Sequence, residues 1–94
     1  MIEELTPYIT KFRKQKMRLR AIFLQLRKLQ KFDGLSDFIL FNSIIETLGE
    51  LNLPYSKKEV YSAFKKVSKD DYAPQEKRAL FKILLKRARE RSVF

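Results

Sequence analysis

The sequence predicts an all-α protein with four helices in a single domain. Only two of the 94 residues are Gly and three are Pro, so the chain has few of the turn residues that a β-sheet protein needs. Apolar residues form 45% of the chain, which is typical of a folded domain, and they recur at helical spacing. Because a chain of 94 residues buries one modest core, we expect one domain over residues 1–94, with flexible ends at 1–6 and 92–94.

The first predicted helix is long and basic. It runs from Pro7 to Phe32, with Thr6 as its N-cap and Gly34 in the turn that ends it. An apolar stripe recurs along one side of this helix, formed by Phe12, Leu19, Ile22, Leu26 and Leu29.

Three shorter helices follow. The second begins at Ser36 and is closed by Gly49. The third begins after Ser56, which forms a capping box with Glu59, and the fourth spans Pro74 to Arg91. Their apolar faces predict a shared core that contains Phe41, Ile44, Phe64, Leu80 and Leu84.

Two segments resemble parts of an EF-hand pair, the calmodulin-like unit. The segment "IIETLGELNLPYSKKEVYSAFKKV" is similar to the helix, linker and helix that join two EF hands. The segment "DGLSDFILF" resembles the end of a first EF loop, with Gly34 as its turn glycine and Asp37 at loop position nine. The resemblance covers residues from about 20 to about 88 and implies two paired helix-loop-helix units. A four-helix domain of another family is the alternative.

The resemblance implies the EF-hand fold without calcium binding. Calcium needs about six to eight oxygen ligands, with side-chain oxygens at loop positions one, three, five and twelve. The residues at those positions are Leu29, Lys31, Asp33 and Leu40 in the first loop, and Ser68, Asp70, Tyr72 and Ala79 in the second. Neither loop supplies the carboxylate that binds calcium through both oxygens, so we expect no metal and no cofactor.

Positive charge is concentrated at the two ends of the chain. The formal net charge is +10. Residues 8–32 hold nine basic residues and no acid, residues 35–56 hold no Lys or Arg, and residues 77–91 hold seven basic residues and one acid. In an EF-hand pair or an up-and-down bundle the first and last helices lie side by side, so we expect their outer faces to merge into one basic surface. Such an excess destabilises a compact fold unless a polyanion binds to it.

The spacing of the basic residues predicts an outward stripe on each of these two helices. The candidate partner-binding residues are Arg13, Lys16, Arg20, Arg27 and Lys31 on the first helix, and Lys82, Lys86 and Arg89 on the last. The chain has no His and no Cys, which removes the commonest general base and the thiol nucleophile. The adjacent carboxylates Asp70 and Asp71 are more typical of a helix cap than of a catalytic pair.

The sequence therefore predicts a non-enzymatic, calcium-independent adaptor that binds an acidic protein surface through a basic helical face. A nucleic-acid-binding protein is the main alternative, since Lys and Arg neutralise phosphates equally well. A third interpretation is a membrane-surface helix over residues 8–32. No apolar run exceeds four residues and no targeting segment is evident, so we expect an intracellular location.

Overall fold

The computed structural model describes residues 1–67 and 73–94 and contains five α-helices in that part of the chain. They are α1 (Ile2–Lys14), α2 (Leu19–Arg27), α3 (Asp37–Glu50), α4 (Lys57–Val67) and α5 (Pro74–Glu90), with a 3₁₀ turn at Gln30–Phe32. The all-α prediction is confirmed. The predicted number of four helices is wrong, because the long first helix is divided into α1 and α2.

The start of α1 lies closer to the N-terminus than the sequence predicts. Thr6 is not its N-cap, since the helix begins at Ile2 and the Thr6 hydroxyl donates a hydrogen bond to the Ile2 carbonyl at 2.8 Å. Pro7 lies inside the helix, although a proline there has no N–H for the helical hydrogen bond. Leu5 and Ile9 are fully buried on either side of it. Their packing keeps the backbone helical through Pro7.

The chain reverses between α1 and α2 through a Schellman motif, a C-cap in which one residue adopts a left-handed conformation. Lys16 has φ 57° and its N–H donates to the Arg13 carbonyl at 2.9 Å. The next N–H, of Met17, donates to the Phe12 carbonyl at 3.1 Å. This break allows α1 to pack against α3 while α2 packs against α4. A single helix over residues 7–32 would not make both contacts.

Helix α3 begins where the sequence predicts and ends slightly later. The Ser36 hydroxyl accepts a hydrogen bond from the Ile39 N–H at 3.2 Å, so the predicted N-cap is confirmed. Gly49 does not close the helix but lies inside it, and the left-handed residue is Asn52, with φ 55°. Gly49 has a different role. A Cβ at this position would lie 2.6 Å from the Arg91 Cβ and 2.8 Å from its carbonyl oxygen.

Helix α4 carries only half of the predicted capping box. The Glu59 N–H donates to the Ser56 hydroxyl at 3.1 Å, as predicted. The Glu59 carboxylate, however, accepts a hydrogen bond from the Leu19 N–H at 3.2 Å, at the start of α2. Helix α5 begins at Pro74, as predicted, and ends at Glu90, next to the predicted Arg91.

The core is centred on α3, which packs against α1, α2 and α5. Of the five residues predicted to be buried together, Phe41, Ile44, Phe64 and Leu84 are buried and Leu80 packs against them partly buried. Aromatic rings connect successive helices through this core. Ring centroids lie 5.6 Å apart for Phe23 and Phe41, 5.9 Å for Phe41 and Phe64, and 5.3 Å for Phe64 and Phe81.

Residues near both ends of the chain contribute to the core. Leu5 and Val93 are fully buried. The Val93 N–H donates to the Ala88 carbonyl at 2.8 Å, and its carbonyl accepts from the Tyr55 N–H at 2.9 Å. These bonds attach the C-terminus to the segment between α3 and α4.

The apolar stripe of residues 8–32 is used inside the protein. Leu19, Ile22, Phe23 and Leu26 are all buried in the core, so these side chains of the predicted membrane-surface helix do not face outward. Across residues 1–67 and 73–94, every helix is too short or too polar to cross a membrane.

Candidate polyanion-binding surface

Two of the eight predicted binding residues are engaged inside the protein. The Arg13 guanidinium donates to the Pro54 carbonyl at 3.0 Å and lies 4.3 Å above the centre of the Tyr55 ring. Arg27 Nε lies 3.2 Å from Asp37 Oδ1, and its NH1 donates to the Phe32 carbonyl at 3.2 Å. Both arginines are only partly exposed, so they hold helices and loops together and are poorly placed to bind a partner.

Arg13 also belongs to a small polar cluster around Tyr55. The Tyr55 hydroxyl donates a short hydrogen bond of 2.6 Å to the Met17 carbonyl. Burial raises the pKa of Tyr55 above its ordinary value, and the nearby Arg13 guanidinium acts in the opposite direction. The neutral phenol is therefore the stable form, and it remains a hydrogen-bond donor to the turn between α1 and α2.

The other six predicted residues are exposed and lie on several elements, from the turn after α1 to α5. Lys31 Nζ lies 3.9 Å from Glu4 Oε2, with both side chains about half exposed. Within the described part of the chain, no ion pair involves the exposed side chains Lys16, Arg20, Lys82, Lys86 and Arg89. Helices α1 and α5 each pack against α3. Helices α1 and α5 are not among the main pairs of helices that pack against each other. The expected merger of their outer faces therefore has no support from helix packing.

Three exposed lysines lie along one groove on α4, a helix that the sequence prediction left out. Lys57, Lys58 and Lys65 line an open groove along this helix together with Tyr61 and Ser62. All three lysines are exposed, and Tyr61 is 44% exposed. Lys65 Nζ lies 5.4 Å from the centre of the Tyr61 ring, within range of a cation–π interaction.

This group continues onto the two neighbouring helices. On one side, Ser62 also lines a small groove with Arg18 and Arg20 at the start of α2. On the other side, Tyr61 and Lys65 line a further groove that includes Arg78 of α5. Six exposed cations therefore form what we call the basic surface: Arg18, Arg20, Lys57, Lys58, Lys65 and Arg78.

In the part of the chain that the structure describes, little negative charge opposes the basic surface. Among the described residues that line its three grooves, Glu59 is the one acid. Its carboxylate is held by the Leu19 N–H, where the positive end of the α2 dipole stabilises it. Clustered cations with few counter-charges raise the local concentration of anionic partners and speed their association.

The groove between α4 and α5 has an apolar floor. It has a volume of about 480 Å³ and is lined by Tyr61, Phe64, Lys65, Pro74, Lys77, Arg78 and Phe81. The Tyr61 ring meets the Phe81 ring edge to face at 4.3 Å, and Phe81 stacks on Phe64 at 5.3 Å. We call this the α4–α5 groove.

A sequence signal for the α4 residues does exist. Lys57, Lys58, Tyr61, Ser62 and Lys65 recur at helical spacing opposite Val60, Ala63 and Phe64. The segment has fewer cations than residues 8–32, so a count of charges favours the first helix. The cations of α4 stand out only after Arg13 and Arg27 are seen to have internal partners.

The structure describes the first of the two loops that resemble EF-hand loops and only part of the second. In the first loop, Leu40 is fully buried and Leu29 is partly buried, and a 3₁₀ turn occupies Gln30–Phe32. In the second loop, positions Ser68, Asp70 and Tyr72 lie outside the described residues. Within residues 1–67 and 73–94, no group of three or more acidic side chains could hold a metal ion.

Comparison of the chain with protein-family models, with curated proteins and with solved structures finds no match. The EF-hand resemblance therefore stays a prediction from the two quoted segments. The functional argument depends on the chemistry of the basic surface itself.

Proposed function

We propose that this protein is a non-enzymatic adaptor that binds an acidic protein surface inside the cell. The observation that carries the proposal is the basic surface, in which six exposed cations on α4, on α5 and at the start of α2 adjoin, among the described residues, one acid that is already hydrogen-bonded. An intracellular setting is consistent with a chain that contains no Cys.

An acidic protein fits the surface better than a single-stranded nucleic acid does. Bases bind to proteins by stacking on the faces of exposed aromatic rings. Among the described residues that line the three grooves, Tyr61 is the one exposed aromatic ring, whereas a single strand stacks successive bases on several rings. The apolar floor beside the lysines suits an apolar side chain of a protein partner, as in the centres of protein interfaces.

Nucleic-acid binding is the second candidate, because exposed lysines surround an exposed aromatic residue at Tyr61. Binding to duplex DNA would depend steeply on salt, with a log–log slope of about 0.9 for each phosphate neutralised. A protein partner that also buries apolar surface would retain more of its affinity at high salt.

The proposal includes an EF-hand-like pairing of helices that works without calcium. We expect calorimetric titration with calcium to give no heat of binding at physiological concentration, because neither predicted loop has the required oxygen ligands. A micromolar affinity would contradict the calcium-independent part of the proposal and leave the basic surface to be tested separately.

Charge reversal on the basic surface tests the adaptor proposal. We expect Arg20→Glu with Lys58→Glu to weaken binding to fluorescein-labelled polyglutamate by about tenfold or more, since two cations become repulsive. The matched control is Lys11→Glu with Lys14→Glu, which makes the same charge change at exposed positions of α1. A third variant, Lys82→Glu with Lys86→Glu, tests whether the predicted stripe on α5 contributes.

The outcomes of this experiment are distinct. A large loss in the basic-surface variant and a small loss in the α1 variant would support the adaptor proposal. Equal losses in all three variants would mean that the protein attracts anions through its net charge alone. Retention of polyglutamate binding in the basic-surface variant would overturn the assignment of the site, and preferential binding of duplex DNA would favour the second candidate.

A further inference from the structure

The α4–α5 groove combines an apolar floor with a positively charged border. Tyr61, Phe64 and Phe81 form the floor, while Lys65 and Arg78 lie at its edges. The lysines of the adjoining groove along α4, Lys57 and Lys58, extend the charge beyond Tyr61. A partner that fills this groove must therefore bring an apolar group and negative charge close together in its sequence.

The floor is anchored to the protein core. Phe81 stacks on Phe64, and Phe64 meets the buried ring of Phe41 edge to face at 5.9 Å. Rings held in this way are already ordered before a partner binds, so binding costs little side-chain entropy. Tyr61 is the exposed end of this series of rings. Aromatic residues in such well-packed positions are common binding hot spots.

The size of the groove limits what it can accept. An α-helix is about 10–12 Å across with a pitch of about 5.4 Å, so each turn fills roughly 400–600 Å³. A groove of about 480 Å³ therefore holds about one helical turn, or a few side chains of an extended segment. It suits a short linear motif and is too small for a long amphipathic helix.

We propose that the α4–α5 groove binds a short acidic segment of a partner protein, with one aromatic or aliphatic side chain seated on Tyr61, Phe64 and Phe81. Carboxylates on either side of that anchor pair with Lys57, Lys58, Lys65 and Arg78. The inference depends on the proposed adaptor function and specifies the chemistry of its partner. A second copy of this chain does not fit the description, because each copy carries a net charge of +10 and the two would repel each other.

Two labelled peptides test the inference. The first is a short fluorescein-labelled peptide of Glu residues with one central Phe, and the second has Ser in place of that Phe and the same charge. We expect fluorescence anisotropy to show that the Phe peptide binds about tenfold more tightly or better, because only its anchor reaches the apolar floor. The difference should persist in high salt, which screens the charge pairs that the two peptides share.

Substitution of the floor provides the matched protein control. Tyr61→Ser should remove the preference for the Phe peptide, and Tyr61→Phe should keep it, since the ring and not the hydroxyl forms the floor. The comparison variant is Ile39→Ser, which removes a similarly exposed apolar side chain from α3. If Tyr61→Ser fails to fold, amide chemical shifts of the unmodified protein on peptide addition will locate the site. Shifts concentrated at Tyr61, Lys65, Arg78 and Phe81 would support the groove.

The possible results distinguish failure of the groove proposal from failure of the adaptor proposal. Equal binding of the two peptides, with loss on charge reversal at Arg20 and Lys58, would overturn the groove and leave the adaptor function standing. A Phe preference that Tyr61→Ser leaves unchanged, or chemical shifts elsewhere, would also overturn it. If neither peptide binds and duplex DNA does, both the groove and the acidic-protein partner are wrong.

Discussion

Within residues 1–67 and 73–94, three residues adopt left-handed backbone conformations where helices end, and none of them is glycine. Lys16, Asn52 and Ser92 have φ values of 57°, 55° and 59°. Each is followed by an apolar residue whose N–H reaches back five residues, as in the bond from the Val93 N–H to the Ala88 carbonyl at 2.8 Å. These hydrogen bonds supply donors to carbonyl groups in the last turn of each helix, and the turn directs the next side chain toward the core. It also places backbone strain at identifiable residues.

Lys16 is the least suited of the three to its conformation, so we expect Lys16→Gly to stabilise the fold. A left-handed conformation costs a non-glycine residue about 1–2 kcal/mol, and the greater unfolded-state entropy of glycine offsets about 0.5–1 kcal/mol of the gain. The free energy of unfolding in urea should rise by about 0.5–1 kcal/mol. Lys16→Ala is the control, since it removes the same charge and keeps the Cβ. Equal stability of the two variants would refute the explanation.

Gly49 is limited by packing. Because it has no side chain, the backbone of Arg91 near the C-terminus can lie close to α3. Alanine normally stabilises a helix interior by about 0.8–1 kcal/mol over glycine. Here the new Cβ would lie 2.8 Å from the Arg91 carbonyl oxygen, and overpacking of this kind costs about 1–3 kcal/mol. We expect Gly49→Ala to lower the midpoint of thermal unfolding. Gly34→Ala, with nothing within 4 Å of the added Cβ, should change it little, and a stabilised Gly49→Ala would contradict the packing.

At the scale of elements, the start of α2 depends on a side chain from another helix. Its N-cap residue, Arg18, makes no side-chain capping bond. The Leu19 N–H instead donates to the Glu59 carboxylate of α4, 40 residues away in sequence. One residue therefore links the beginnings of two helices, because the Glu59 backbone N–H also donates to Ser56. Loss of this carboxylate should loosen α2 before it affects the rest of the core.

We expect Glu59→Ala to cost about 0.5–2 kcal/mol, the usual effect of losing an N-cap acceptor. Glu59→Gln should cost less, since it keeps an acceptor oxygen and loses only the favourable charge near the helix dipole. Urea denaturation measures the cost, and hydrogen exchange at the Leu19 amide should become faster. The control is Glu50→Ala, which removes the same charge from an exposed position at the end of α3. Unchanged exchange at Leu19 would mean that the cap has no energetic role.

At the scale of the whole molecule, the sequence predicts those elements whose signals are local. Ser36 lies three residues from the N–H that it caps, and Ser56 lies three residues from its own. Pro74 stands at the first position of α5. Each signal acts within one turn of backbone, so α3, α4 and α5 could be predicted to within a few residues.

Contacts between distant residues could not be predicted in this way. The division of the first helix places Met17 where its carbonyl accepts the Tyr55 hydroxyl, 38 residues away in sequence. The same applies to the candidate site. The spacing of Arg13 and Arg27 in the sequence predicts that both side chains point outward. In the folded protein, however, Arg13 lies over the Tyr55 ring and Arg27 pairs with Asp37. Charge density in sequence therefore does not reveal which cations already have partners within the protein.

The excess of positive charge should make the stability of the whole fold depend on salt. The formal net charge is +10, and the described residues contain only four ion pairs, all at least partly exposed. Exposed pairs of this kind contribute about 0–1 kcal/mol each, so repulsion among the cations is the larger effect. Since NaCl screens repulsion over the distances between surface charges, we expect the free energy of unfolding to rise with NaCl by about 0.5–1 kcal/mol, an amount comparable to one exposed ion pair.

Lys11→Glu with Lys14→Glu is the control for this salt effect, because it lowers the formal net charge from +10 to +6 without changing a buried residue. Its stability should be higher at low salt and should rise less as NaCl is added. A binding partner would act on the unmodified protein in the same direction as salt, since polyglutamate neutralises the same cations. Stability that falls with NaCl would show that attraction outweighs repulsion, and the excess charge would then need no acidic partner to explain it.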